Sequence, residues 1–244
     1  MSDRRYVVGL AALAILIFSA IGASTASAEQ VAYECSSSAA SKTFSDAHCV
    51  SSGGSSFGHV KIEGTTEVSG TNAKTASETT AAAVGKLKSS LAGVETEIQC
   101  TTDKLISAKL TVTLVHITLD IRIGKSGCTV TKPAGKGCTV SGGSIETKEL
   151  QATTMGQAAG NIKITPAEGT EFASIKIEKC SVEALNNTFP VTGSLVATAT
   201  GATVSTTHAG ITSQGTLKFG GVKAGLEGSL TITRTSTGNG IALT

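Results

Sequence analysis

The chain has 244 residues with 20 basic and 18 acidic side chains, a formal charge of +2, and aromatic residues make up 3% of it with no tryptophan. The charges are scattered, which excludes the basic stripe of a nucleic-acid-binding face and the polybasic patch of a membrane-surface protein. The shortage of rings likewise excludes the aromatic platforms on which sugars or single-stranded bases stack.

Residues 1–28 read as a secretory signal peptide. Arg4 and Arg5 give a basic start, Val7 to Ile21 is almost wholly apolar, and Ala26-Ser27-Ala28 is a small-x-small cleavage site. The apolar run is shorter than the roughly 20 residues of a membrane span. No cysteine follows it closely enough for lipid attachment, and the closing TSTGNGIALT is no anchor. The expectation is therefore a soluble, secreted chain beginning near Glu29, with no membrane association once the leader is removed. What remains is long enough for one all-β domain, since sandwiches and barrels run to about 200–250 residues as single units.

All six cysteines, Cys35, Cys49, Cys100, Cys128, Cys138 and Cys180, lie in the exported part. An even number in an oxidising compartment predicts three disulfides. Spacing alone leaves the connectivity open. Proximity suggests Cys35–Cys49 and Cys128–Cys138 as local bridges, leaving Cys100–Cys180 as a long-range one. No CxxC pair occurs, and His48 beside Cys49 would point to the opposite face of a strand, so neither a metal nor a cofactor is expected.

In chain order, residues 29–62 form a disulfide-stapled N-terminal segment, Ser- and Gly-rich over 36–58, and residues 63–244 form the main β domain. Gly54-Ser55-Ser56-Phe57-Gly58 matches the G-x-S-x-G nucleophile elbow. That motif needs a strand before it and a helix after it, whereas the strand-like His59-Val60-Lys61-Ile62 follows, so the match reads as chance. TASETTAAAVGKLKSSLAG, residues 75–93, carries a Thr75-x-x-Glu78 capping box and apolar residues at helical spacing. Gly85 and the Thr/Ser content weaken a helix, and Leu87, Ser89 and Leu91 also alternate, so the segment reads as strand. VETEIQC places Val94, Thr96, Ile98 and Cys100 on one face and Glu95, Glu97 and Gln99 on the other. Glu95 and Glu97 would stand about 7 Å apart, within the roughly 6.5–9.5 Å used by inverting glycosidases, yet nothing marks a cleft between them. Two solvated glutamates on a strand is the simpler reading.

The run LTVTLVHITLDIRI, residues 110–123, changes parity midway: Leu110, Val112 and Leu114 share one face, then Val115, Ile117, Leu119, Ile121 and Ile123 the other. A bulge or bend near Val115-His116 would restore a single core. Gly124-Lys125-Ser126 lacks the upstream glycine and the following helix of a phosphate loop and is set aside. In CTVTKPAGKGCTV, residues 128–140, Pro133 fixes φ while Gly135 and Gly137 permit a turn. The segment reads as a stapled hairpin, with a disulfide-closed inhibitory loop over residues 129–137 as the functional rival. That loop has a loose likeness to Bowman–Birk inhibitor loops but is two residues too long. NIKIT, SIKIEK, TLKFGG and SLTITRT repeat the strand pattern between turn residues. Asn186-Asn187-Thr188 matches a glycosylation sequon. His48, His59, His116 and His208 with Asp46, Asp103 and Asp120 supply the members of a Ser-His-Asp set, but no spacing joins them.

Several blocks carry a further signal: FSDAHC, LAGVETEIQC, SGCTVTKPAGKGC, GGSIETKEL, PAEGTEFASIKIEKC, NNTFPVTGS and GTLKFGGVKAGLEGSLTIT. Over most of residues 31–233 the chain resembles secreted β-rich proteins of actinobacteria that have no assigned activity. The resemblance implies an exported paralogous family, supports strand for residues 84–93 and treats the four later cysteines as structural. It carries over no catalytic or binding residue.

The reading is thus an all-β, antiparallel, disulfide-bonded sandwich or barrel of jelly-roll type. The leading functional expectation is a non-enzymatic extracellular or cell-envelope module that binds another macromolecule or the cell wall. The rivals are a secreted hydrolase with a dispersed site drawn from Glu95, Glu97, Asp120 and His116, and a protease inhibitor using the Cys128–Cys138 loop.

Overall fold

A computed structural model describes residues 30–71, 85–113, 117–155, 160–200, 202–206 and 215–243, and these are largely β-strand with no α-helix. The leader at 1–28 and the first part of the ambiguous segment, residues 75–84, lie outside the described residues. In chain order the strands are β1 (Ala32–Ser36), β2 (Gly58–Lys61), β3 (Gly64–Thr71), β4 (Gly85–Leu91), β5 (Val94–Cys100), β6 (Thr102–Val112) and β7 (Ile117–Ser126). Next come β8 (Thr129–Lys132), β9 (Thr139–Val140), β10 (Ser144–Glu146), β11 (Leu150–Thr154), β12 (Asn161–Pro166) and β13 (Glu171–Glu178). Last are β14 (Thr188–Thr192), β15 (Leu195–Thr200), β16 (Thr203–Thr206), β17 (Lys218–Phe219), β18 (Val222–Arg234) and β19 (Ile241–Leu243).

All these strands pair antiparallel, and the pairing closes on itself twice. One circuit runs β3-β6-β7-β11-β12-β15-β16-β18 and returns to β3. The other runs β4-β5-β8-β9-β13-β14-β17-β18 and returns to β4. β18 belongs to both. Its residues 224–228 pair with β4 and 231–234 with β3, while 228–231 pair with β16 and 222–223 with β17. Closure removes the unpaired strand edges that invite aggregation. A separate three-stranded sheet, β19-β1-β2, joins the N-terminal segment to residues 241–243.

Period-2 alternation produces both interiors. In β7, Ile117, Leu119 and Ile121 are buried while Thr118, Asp120 and Arg122 are not. In β4, Gly85, Leu87, Ser89 and Leu91 are buried and the intervening lysines are half-exposed. Each Leu or Ile fully withdrawn from water contributes about 1.5–3 kcal/mol, and the resulting core runs continuously through both circuits. The segment over 85–93 is a strand ending in a two-residue turn, because Leu91 pairs with Val94. The β17–β18 turn is built alike, with Gly220 and Gly221 at φ 59° and 81° between Phe219 and Val222, as a type I′ hairpin demands.

The run 110–123 is a hairpin rather than one bulged strand. Val112 pairs with Ile117, and the expected bulge near Val115-His116 falls on residues 114–116, outside those described. A register shift occurs earlier, between Leu105 and Ser107, where Ile106 turns outward at 48% exposure.

Two of the three expected disulfides are corrected. Cys35 bonds to Cys49, but Cys100 bonds to Cys128 and Cys138 to Cys180, in place of Cys128–Cys138 and Cys100–Cys180. β8 and β9 do form a hairpin, yet Thr129 lies opposite Thr139. That register sets Cys128 and Cys138 diagonally instead of face to face. Their true partners come from the neighbouring strands. Gln99 pairs with Thr129, bringing the Cα atoms of Cys100 and Cys128 within 4.0 Å. Glu178 pairs with Thr139, and the Cα atoms of Cys138 and Cys180 lie 4.1 Å apart. The two bridges flank the short β8–β9 contact and fasten it on both sides.

Candidate functional site

The inward faces of the first circuit, together with Thr147 and with Phe172 of β13, line a cavity of about 110 Å³. Leu105, Leu119, Ile162 and Leu195 line it, and all four are buried. Ala152 on β11 and Ala197 on β15 also face it, at 3% and 1% exposure. Ala152 lies opposite both Leu119 and Ile164, and Ala197 opposite Ile162. The space exists where methyl groups stand in rows otherwise filled by Leu and Ile. A smaller cavity of about 70 Å³ lies inside the second circuit and shares Lys125, Thr147, Phe172 and Leu226 with the first.

At that shared wall sits a charged pair that the sequence reading did not single out as a pair. Lys125 Nζ donates to Asp103 Oδ2 at 2.6 Å, with Asp103 at 4% exposure. The two residues are direct cross-strand partners in β6 and β7. A signal was present: Lys125 continues the parity of Ile117, Leu119, Ile121 and Ile123, and Asp103 that of Leu105. Charges at the end of two apolar rows can be buried only together. Lys125 is therefore part of this pair, and the strand around it confirms that Gly124-Lys125-Ser126 forms no phosphate loop.

Glu95 and Glu97 project from β5 on the outer face of the second circuit, and they differ. Glu95 is exposed and accepts from Lys132 Nζ at 2.6 Å. Glu97 is 8% exposed and accepts from Thr131 Oγ1 at 2.8 Å and from Gln99 Nε2, with Lys88 Nζ at 3.8 Å. Burial pushes its carboxyl up, but the Thr131 and Gln99 hydrogen bonds and the charges of Lys88 and Lys132 outweigh this and hold it below the usual glutamate value. Lys88 also reaches Glu227 at 3.9 Å, so alternating charges cross β18, β4, β5 and β8. Asp120 lies on the other circuit, where Gln151 Nε2 donates to it at 3.3 Å. The acids proposed for a hydrolytic site are thus not gathered in one place, and His116 and His208 lie outside the described residues.

The N-terminal segment uses its polar groups locally. Asp46 accepts from the amides of His48 at 2.9 Å and Ser51 at 2.6 Å. Burial acts against its ionised form, but these amide bonds prevail and hold its carboxyl below the usual aspartate value. His59 stacks on Tyr33 with ring centroids 5.1 Å apart and meets Phe44 at 5.0 Å, and burial lowers its pKa. Gly54–Gly58 leads into β2 with no helix behind it, so Ser56 does not stand on an elbow. The sequon asparagine is also engaged: Asn186 Oδ1 accepts from the Cys180 amide at 2.8 Å and its Nδ2 donates to the Cys180 carbonyl at 2.9 Å.

A buried carboxylate missed in the sequence completes the set. Glu34, on β1, accepts from Arg234 Nη1 at 2.6 Å, Thr237 Oγ1 at 2.7 Å and Asn239 Nδ2 at 3.1 Å. Among the described residues no cluster of three or more His, Cys, Asp or Glu side chains could hold a metal, and no helix is long and apolar enough to cross a membrane. No protein-family model, curated protein or solved structure matches the chain.

Proposed function

We propose that the protein is exported behind the leader at residues 1–28 and acts outside the cell, or at its envelope, as a non-enzymatic binding module for another macromolecule or the cell wall. The observation that carries this reading is the engagement of its acids. Asp46 is held by backbone amides, Asp103 by Lys125, Glu95 by Lys132, Glu97 by Thr131 and Gln99, and Glu34 by Arg234, and apart from the two glutamates of β5 they lie on different elements of the fold. These groups serve the scaffold, and the charged outer faces remain for recognition. Three disulfides suit an oxidising compartment, and the resemblance to secreted actinobacterial proteins points the same way.

The test is retention of the purified protein on cell-wall and secreted-protein fractions, alongside a panel of glycan, ester and peptide substrates. Retention without turnover supports the reading. Turnover that is lost in Glu97→Gln or Asp120→Asn favours the hydrolase instead. N-terminal sequencing of exported material should begin near Glu29.

A further inference from the structure

We propose that the interior of the first circuit is a binding site for one small, uncharged hydrophobic molecule, the size of a single ring or a short branched alkane. The site lies inside the barrel and goes beyond the binding-module reading, which concerns the outer faces.

Folded interiors rarely leave a void larger than a water molecule, and about 110 Å³ is well above that. A water needs two or more polar partners to stay in such a space. Most of this lining is aliphatic, with polar groups confined to Asp103, Lys125, Thr147 and Ser229. Apolar cavities of roughly 150 Å³ stay dry and take up benzene or xenon, which sets the size class of the guest. Charge sets its chemistry. Lys125 and Asp103 already neutralise one another at 2.6 Å, so an ionised guest would lose its hydration without gaining a counter-ion. An uncharged guest keeps the pair intact and replaces empty space with dispersion contacts.

The same geometry says how to close the site. Ala152 and Ala197 are the small residues that open it, so Ala152→Leu and Ala197→Leu, made separately, fill it from two strands. Benzene and xenon serve as probes with the disulfide-intact protein. A guest bound only by the folded state raises the thermal midpoint, here by roughly 2–5 °C near saturation for a chain of this size. The expected result is a saturable benzene-dependent rise for the native chain, xenon-induced shifts of the Leu119, Ile162 and Leu195 methyl resonances, and loss of both in a filled variant that keeps the native circular dichroism. No benzene-dependent rise in the native chain overturns the proposal, whatever the variants do. An equal rise in a folded, filled variant also overturns it. Cell-wall retention of the filled variants reports on the outer faces, so failure of the cavity and failure of the binding-module reading are seen separately.

Discussion

Lys125 and Asp103 meet directly above Gly85, where an added Cβ would stand 2.9 Å from the ammonium nitrogen and 3.0 Å from the carboxylate oxygen. The missing side chain on β4 makes room for the pair on β6 and β7, so the second circuit is shaped around a charge bridge of the first. Removing one partner strands the other charge. Asp103→Ala should lower unfolding free energy by about 3–5 kcal/mol, whereas Asp103→Leu with Lys125→Met should recover most of it. Urea denaturation reads both, and an Asp103→Ala variant of native stability would remove the structural role given to the pair.

Ala92 adopts φ 49° beside Gly93 at φ 78°, in the turn between β4 and β5. A Cβ is unfavourable there, and this turn prefers Asn-Gly. Ala92→Asn is expected to stabilise by about 0.5–1 kcal/mol. A lower midpoint in the variant would mean that the turn is built differently.

Non-reducing peptide mapping should yield Cys100 joined to Cys128 and Cys138 joined to Cys180. The second bridge closes a 42-residue separation, for which loop-closure entropy gives about 4 kcal/mol. Cys138→Ser with Cys180→Ser should lose a comparable amount by denaturant titration. A recovered Cys128–Cys138 peptide would overturn the register of β8 and β9.

Glu34 gives a pH signature. Burial raises its pKa, but the bonds from Thr237, Arg234 and Asn239 win and hold it below the usual glutamate value. A carboxyl depressed in the folded state contributes stability above its unfolded pKa and loses that contribution as pH falls through the folded value. Glu34→Gln should therefore cost about 2–3 kcal/mol at pH 7, and the gap from the native chain should shrink on acidification below about pH 4.5. A gap that is constant from pH 7 to pH 3 would exclude this carboxylate as the source.

The two glutamates of β5 should respond unequally. Glu95→Gln removes an exposed ion pair and should shift stability by no more than about 0.5 kcal/mol. Glu97→Ala leaves Thr131 and Gln99 without their acceptor and should cost about 1–3 kcal/mol. Equal effects from the two, measured by the same denaturant titration, would show that burial does not separate them.

Much of the fold is legible wherever alternation is regular. VETEIQC gives the buried and outward faces of β5 directly, and Leu87, Ser89 and Leu91 give β4. The parity change after Leu114 is visible too, but a hairpin and a bulge leave the same mark where no Gly or Pro stands between the two rows. Disulfide partners are less accessible, because Cys128 and Cys138 are close in the chain while register and strand order decide which sulfurs meet. The Asp103–Lys125 pair was hidden for a similar reason. Each residue continues an apolar row, but only the pairing of β6 with β7 brings the two charges together. The cavity depends on Ala152 and Ala197, which in sequence look like ordinary small residues.

β18 is shared by both circuits, and its bond to β3 reaches across 164 residues between Ser69 and Thr233. Neither barrel can lock until this late stretch of polypeptide has been made and has found four partners. Short-range hairpins can form early, but the slow step is long-range closure. Neither circuit is complete without β18, a single keystone that lies near the end of the chain.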